Sequence, residues 1–339
     1  MKKVYLELLR ILAIIFVLFN HTRSLGYSLY TNTENPFSYW GSLSLSILCK
    51  VAVPIFFMVS GGLLLGRQET IKDLFRKRVL RFLIVILLFT FLQYLRIVRV
   101  HPENGFQIGT WLLYCYCGNI IEPYWFLKAY FSMLLILPFL RRLVSVMEER
   151  EYLYLFGVKA FATLISFICI YTGYMANLSF PFHTDIIFYP LAGYFFVNKI
   201  QDSRLRFLKN KKITGLLMTG VLLLVTVLAD LRFKTGGGYA EDFHTAPVWV
   251  LAVLLFLFVK EIRIKKQFAQ KMILAMGSCT FGLYLIEDVV RNQLQGMVPV
   301  LSRFINPLAA CILFVFASTA AGMAAIYIVK KIPLVSRLL

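Results

Sequence analysis

Three ionisable residues, Glu7, Arg10 and His21, interrupt an apolar run near the start of the chain. A charged group in hydrocarbon is costly, so such residues mark functional positions by default. In an α-helix Arg10 and His21 stand about 1100° apart, within about 20° of three full turns, and Glu7 and His21 fall within about 40° of four. All three point the same way and form a polar stripe that faces a bundle interior. The rise from Arg10 to His21 is about 16 Å. The stripe therefore starts near one membrane surface and ends in the opposite half. A cation at one face can hold an anionic cofactor, and a histidine deeper in can move protons near neutral pH. A plainer reading also stands: Glu7 and Arg10 as an i,i+3 pair at a helix end, with His21 an interfacial residue.

A second candidate is the basic cluster Arg76, Lys77, Arg78 and Arg81. The guanidinium fork suits phosphate oxygens. With helical spacing, Arg78 and Arg81 reach one ligand together. The alternative is topological charge in contact with lipid headgroups.

The elements that position these groups are membrane helices. The 339 residues are 59% hydrophobic and 16% charged, with a mean hydropathy of +0.74. That balance excludes a disordered chain and argues against a purely soluble enzyme. Apolar runs of membrane-crossing length recur throughout. They predict ten spans, at about 5–25, 43–65, 79–98, 125–143, 152–172, 184–199, 212–231, 246–262, 272–290 and 306–329. The expected fold is all-α, a polytopic membrane helix bundle forming a single domain over residues 1–339. The apolar stretch at 107–121 reads as re-entrant or interfacial. Lys2 and Lys3 before the first run resemble a signal peptide. Glu7, Arg10 and the lack of an Ala-x-Ala site make it a retained span instead.

The net charge is +19, which in a soluble protein would suggest nucleic acid. Mapped onto the loops, however, 25 of the 36 Lys and Arg fall on one side and seven on the other. Such a split predicts an even number of spans with both termini cytoplasmic, and it removes the argument for nucleic acid. The six cysteines, at 49, 115, 117, 169, 279 and 311, form no paired C-x-x-C units, so no zinc site is expected. His101, His183 and His244, with Asp185, Glu241 and Asp242, lack metal-ligand spacing as well. Gly236–Gly238 reads as an outer loop, since a phosphate cradle needs a strand–helix context. Lys128 either snorkels to the interface or contacts an anionic ligand. His183 and Asp185, near the start of the sixth expected span, are further candidates for contact with a ligand.

Taken in order, several segments resemble one family. Glu7-Leu-Leu-Arg10, ten residues and then His21 resembles the first-span signature of the acyltransferase-3 membrane O-acyltransferases. Phe56-Phe-Met-Val-Ser60-Gly61, the Arg76–Arg81 cluster, Trp125-Phe-Leu-Lys-Ala-Tyr130 and Phe281-Gly-Leu-Tyr-Leu-Ile286 are similar to its later landmarks. The resemblance covers nearly the whole chain.

It implies a donor, usually acetyl-CoA, used at the cytoplasmic face as a substrate and not as a resident cofactor. It also implies an acceptor hydroxyl on a cell-envelope or extracellular carbohydrate. His21 would be the catalytic residue. Arg10, Arg76, Arg78 and Arg81 would bind the donor's phosphates, while Tyr130 and Trp125 would line its tunnel. Many relatives carry His after the Tyr-Leu-Ile segment, where this chain has Glu287-Asp288. Glu287 then either orients His21 or merely caps a helix at the membrane edge. The expected partners are acyl-CoA, a carbohydrate and membrane lipids, with no nucleic acid; self-association is left open. The compartment implied is a bacterial plasma membrane.

The competing class is a transporter or exporter of a glycan or lipid-linked precursor. It shares the helices and an internal polar cavity but has no use for a CoA phosphate site. No internal repeat of the kind common in transporters is visible.

Overall fold

A backbone in hydrocarbon must satisfy its own hydrogen bonds, which favours helices throughout. A computed structural model describes residues 3–102, 105–117, 120–172, 184–235 and 247–338, and among these every regular element is helical. The helices are α1 (Val4–Asn20), α2 (Pro36–Cys49), α3 (Ala52–Leu64), α4 (Ile71–Leu74), α5 (Leu80–Val100), α6 (Ile108–Tyr116), α7 (Trp125–Val146) and α8 (Glu149–Thr172). After them come α9 (Asp185–Asn198), α10 (Lys211–Lys234), α11 (Val248–Lys260), α12 (Gln267–Leu294), α13 (Met297–Leu301), α14 (Pro307–Val329) and α15 (Pro333–Leu338). His183, Glu241, Asp242, His244 and Gly236–Gly238 lie outside the described residues.

All ten apolar segments expected from the sequence contain helix. Among the described residues, seven helical stretches are long and apolar enough to cross a membrane. The other three segments hold α1, α9 and α11, of 17, 14 and 13 residues. At 1.5 Å per residue these regular helices reach about 20–26 Å, short of a ~30 Å core. The stretch at 107–121 forms the nine-residue α6, which lies on α5.

The expected span 43–65 begins earlier and is split between α2 and α3 at Lys50–Val51. Pro54 explains the break, since a proline ring clashes with the carbonyl four residues back, here that of Lys50. The starts of α2 and α14 share one device. Pro36 and Pro307 open the helices, and the Asn35 and Asn306 side chains accept from Ser38 N (3.0 Å) and Leu308 N (2.9 Å). Ser38 Oγ also bonds Asn306 Oδ1 at 3.0 Å and so joins the two helix starts.

Helix α1 lies at the centre, against α2, α3, α11, α12 and α14. Its Leu6, Leu9, Ala13, Ile14 and Leu18 are buried. The tightest crossing is α3 on α9. A Cβ on Gly61 would lie 2.0 Å from the Pro190 carbonyl oxygen, and one on Gly193 would lie 2.0 Å from that of Met58. Two backbones come this close only where both faces carry no side chain.

The basic cluster departs from the expected α-helical spacing. Phe75–Val79, which holds Arg76, Lys77 and Arg78, is a π-helical turn between α4 and α5. Such turns widen the helix and recur at functional sites.

Candidate active site

Two cavities lie along α1. The first, of about 450 Å³, is lined by Arg10, Arg78 and Arg81, as expected, and also by Arg67, Lys77 and Lys330. Among its described lining residues Glu7 is the one carboxylate. Lys77 belongs to the expected basic cluster, whereas Arg67 and Lys330 counted in the sequence only toward the loop charge.

Each of the three expected arginines is held differently. Arg10 donates through its NH1 nitrogen to both Glu7 oxygens, at 3.2 and 3.3 Å. Glu7 in turn is wedged against α12, where a Cβ on Gly277 would come 2.5 Å from its Oε2. Arg78 Nε donates to Glu69 Oε2 at 3.1 Å. Arg81 donates from Nε and NH2 to the Leu338 carbonyl of α15, both at 3.2 Å. Arg76 is exposed and is not among the lining residues, since residues two apart on a helix do not share a face. Tyr130 also lines this basic cavity, and its hydroxyl receives the Ser60 hydroxyl hydrogen bond at 3.3 Å.

The second cavity, of about 640 Å³, holds His21. His21 closes the C-terminal end of α1, and its Nδ1 lies 2.9 Å from Glu287 Oε1. Glu287 is 1% exposed, with its other oxygen 3.6 Å from Arg291 Nε. A buried carboxylate needs polar partners, and here it has the His21 imidazole on one side and the Arg291 guanidinium on the other. Arg291 also reaches Asp288 Oδ1 at 2.8 Å, and Arg96 of α5 reaches Asp288 Oδ2 at 2.5 Å. The order is thus His21, Glu287, Arg291, Asp288, Arg96, alternating in charge away from the imidazole. Trp125 lines this cavity, not the basic one, together with Lys50, Lys159 and Asp185.

The two cavities share Phe56, Phe126 and Tyr284 as lining residues. The three rings come from α3, α7 and α12 and form a partition. Phe126 lies 5.4 Å from Tyr284 and 5.7 Å from Phe56 between ring centroids. The Tyr284 hydroxyl donates to the Pro123 carbonyl, and the Tyr124 hydroxyl to that of Leu285 (2.9 Å). These reciprocal bonds fix α12 against the start of α7. Phe56 is the least buried of the three rings.

Sequence reasoning missed Arg96, Asp288 and Arg291 as a group. A signal was present for two of them, since Arg291 follows Asp288 by three and Glu287 by four, the spacings that meet on one helix face. Nothing local points to Arg96. Lys128 is turned to α6, where its Nζ donates to the Tyr114 carbonyl at 3.3 Å.

The arrangement suits a long ligand with an anionic head in the basic cavity and a reactive end beside His21. No curated protein and no solved structure matches the chain. One family model, described as an acyltransferase domain, matches residues 3–327. The chain therefore belongs to the acyltransferase-3 family and is a membrane acyltransferase.

Proposed function

We propose that this acyltransferase moves an acyl group, most simply acetyl, from acyl-CoA to a carbohydrate hydroxyl. Both termini and the basic cavity face the cytoplasm of a bacterial cell, in line with the loop charge split. The observation that carries the reading is the pairing of a cation-lined cavity with a His–Glu cavity across one aromatic partition. Phosphates cannot enter hydrocarbon cheaply. They stay with Arg10, Arg78 and their neighbours while the pantetheine arm passes Phe56 toward His21.

In the reaction, the acceptor oxygen attacks the thioester carbonyl carbon and His21 Nε2 takes the hydroxyl proton. The C–S bond breaks as the tetrahedral intermediate collapses. The proton then passes from His21 to the departing thiolate, leaving an O-acyl ester and free CoA. Glu287 at Nδ1 favours the tautomer whose Nε2 accepts, and it stabilises the imidazolium formed in transit. Trp125 and Tyr189 give the His21 cavity aromatic surfaces for a sugar ring, and Asp185 gives it a hydroxyl acceptor.

The test uses purified protein in detergent with acetyl-CoA and a panel of neutral, amino, acidic and phosphorylated sugars. Release of CoA thiol that depends on one sugar class and is abolished in His21→Ala supports the proposal. Full transfer activity in a folded His21→Ala protein refutes the mechanism. Absence of acyl-CoA binding by the folded wild type refutes the donor assignment.

A further inference from the structure

Glu69 lies in the short connection between α3 and α4, outside every motif discussed above. Its Oε2 accepts from two arginines at once: Arg78 Nε at 3.1 Å and Arg141 NH2 at 2.8 Å. Arg141 comes from α7, 72 residues away in sequence. Its Nε donates to the Leu64 carbonyl at 3.1 Å, at the end of α3. One carboxylate therefore joins the end of α3, the π turn and α7.

Only one of the two arginines belongs to the basic cavity. Arg78 lines it; Glu69 and Arg141 do not. Glu69 occupies the Nε edge of Arg78 and leaves both terminal nitrogens for the cavity. A guanidinium bonded on Nε and open at its fork is presented for bidentate capture of an oxyanion. Without the carboxylate, two guanidinium groups that now touch the same oxygen would repel each other at short range. Arg78 would then lose its direction. The Glu69 side chain is 12% exposed. Burial alone would raise its carboxyl, but hydrogen bonds and charge from Arg141 and Arg78 outweigh this and hold it below the usual carboxylate range.

We infer that Glu69 is a positioning residue for the donor site, aiming Arg78 at a phosphate of the donor while tying that site to α7 through Arg141. The inference rests on the acyl-CoA reading of the basic cavity. It also assigns the cluster's arginines unequal tasks: Arg78 is aimed by a carboxylate, whereas Arg81 is engaged by α15.

The experiment measures binding of two probes, CoA and S-acetylpantetheine, which lacks every phosphate of CoA. Wild type, Glu69→Gln, Arg78→Ala and the double variant are compared by titration in detergent. A hydrogen bond to a charged group is of the size that changes affinity about ten- to a hundredfold. Glu69→Gln should weaken CoA by that factor and leave S-acetylpantetheine unchanged. The double variant should bind CoA no worse than Arg78→Ala, because Glu69 acts through Arg78. A purely structural role would weaken both probes alike, and that result overturns the inference, as does unchanged CoA affinity. Should Glu69→Gln fail to fold, Glu69→Asp reads the same clasp. Its shorter reach should cost CoA affinity selectively, and equal binding to wild type overturns the proposal. Wild type that binds S-acetylpantetheine but gains nothing from the phosphates of CoA refutes the donor reading itself, a result distinguishable from failure of Glu69 alone.

Discussion

Glu287→Gln isolates the charge beside the imidazole from its shape. The amide is nearly isosteric, and Arg291 keeps its 2.8 Å contact with Asp288, so the fold should persist. What disappears is a carboxylate 2.9 Å from His21 Nδ1. As the hydroxyl proton transfers, His21 becomes a cation facing that carboxylate. Two unit charges about 4 Å apart at an effective dielectric near 20 interact by about 4 kcal/mol. Arg291, 3.6 Å from the other Glu287 oxygen, already neutralises part of this charge. The net loss should therefore lie at about 2–4 kcal/mol, or roughly 30- to 1000-fold in rate. The assay is CoA-thiol release from saturating acetyl-CoA with the active sugar class, beside CoA titration. The expected result is a fall in kcat of that size with unchanged CoA affinity, because Glu287 does not line the basic cavity. A kcat within about threefold of wild type would mean the dyad contributes no more than ~0.7 kcal/mol and would refute the assigned role.

Other outcomes follow from the packing and the charges. Gly61→Ala places a methyl 2.0 Å from a carbonyl oxygen that no rotamer change can move. It should destabilise the bundle by at least about 1–3 kcal/mol, read as a lower melting temperature in detergent; an unchanged melt contradicts the α3–α9 crossing. Gly277→Ala pushes on Glu7 Oε2 at 2.5 Å and should loosen Arg10, weakening CoA several-fold while the protein still folds. CoA affinity equal to wild type would show that Glu7 does not set Arg10. The depressed Glu69 carboxyl gives a pH signature. Its contribution to stability is complete above the unfolded value, near 4.5, and is lost as pH falls through the lower folded value. Melting curves of wild type and Glu69→Gln should differ at neutral pH and converge below pH 4.5. A gap that persists unchanged into strong acid refutes the paired state of Glu69.

The sequence made some of this site legible and hid the rest for identifiable reasons. Arg10 and His21 sit on one regular helix, so counting residues places both on the same face and separates them along it. Their assignment to two successive cavities along α1 follows that spacing. The basic cluster was visible as composition but not as geometry, because Phe75–Val79 has no residue that announces a π turn. Arg76 was grouped with Arg78 by closeness in the chain, but residues two apart do not share a helix face, and it is exposed. Arg96 and Arg141 were counted only as loop charge. Their carboxylate partners lie 192 and 72 residues away, and only the tertiary fold pairs them. Helices α9 and α11 are shorter than the apolar segments that hold them, because hydropathy measures apolar length, not where a helix stops.

Because Arg10 lies in α1 and His21 caps it, the helix rise fixes how far apart their backbones stand. Helix α1 is in effect a length gauge of about 16 Å. Under the proposed acyl-CoA reading, a thioester whose anionic head sits much nearer its carbonyl would not reach both marks at once. One residue inserted between Arg10 and His21 would misread every donor, advancing the histidine by about 1.5 Å and turning it by about 100°.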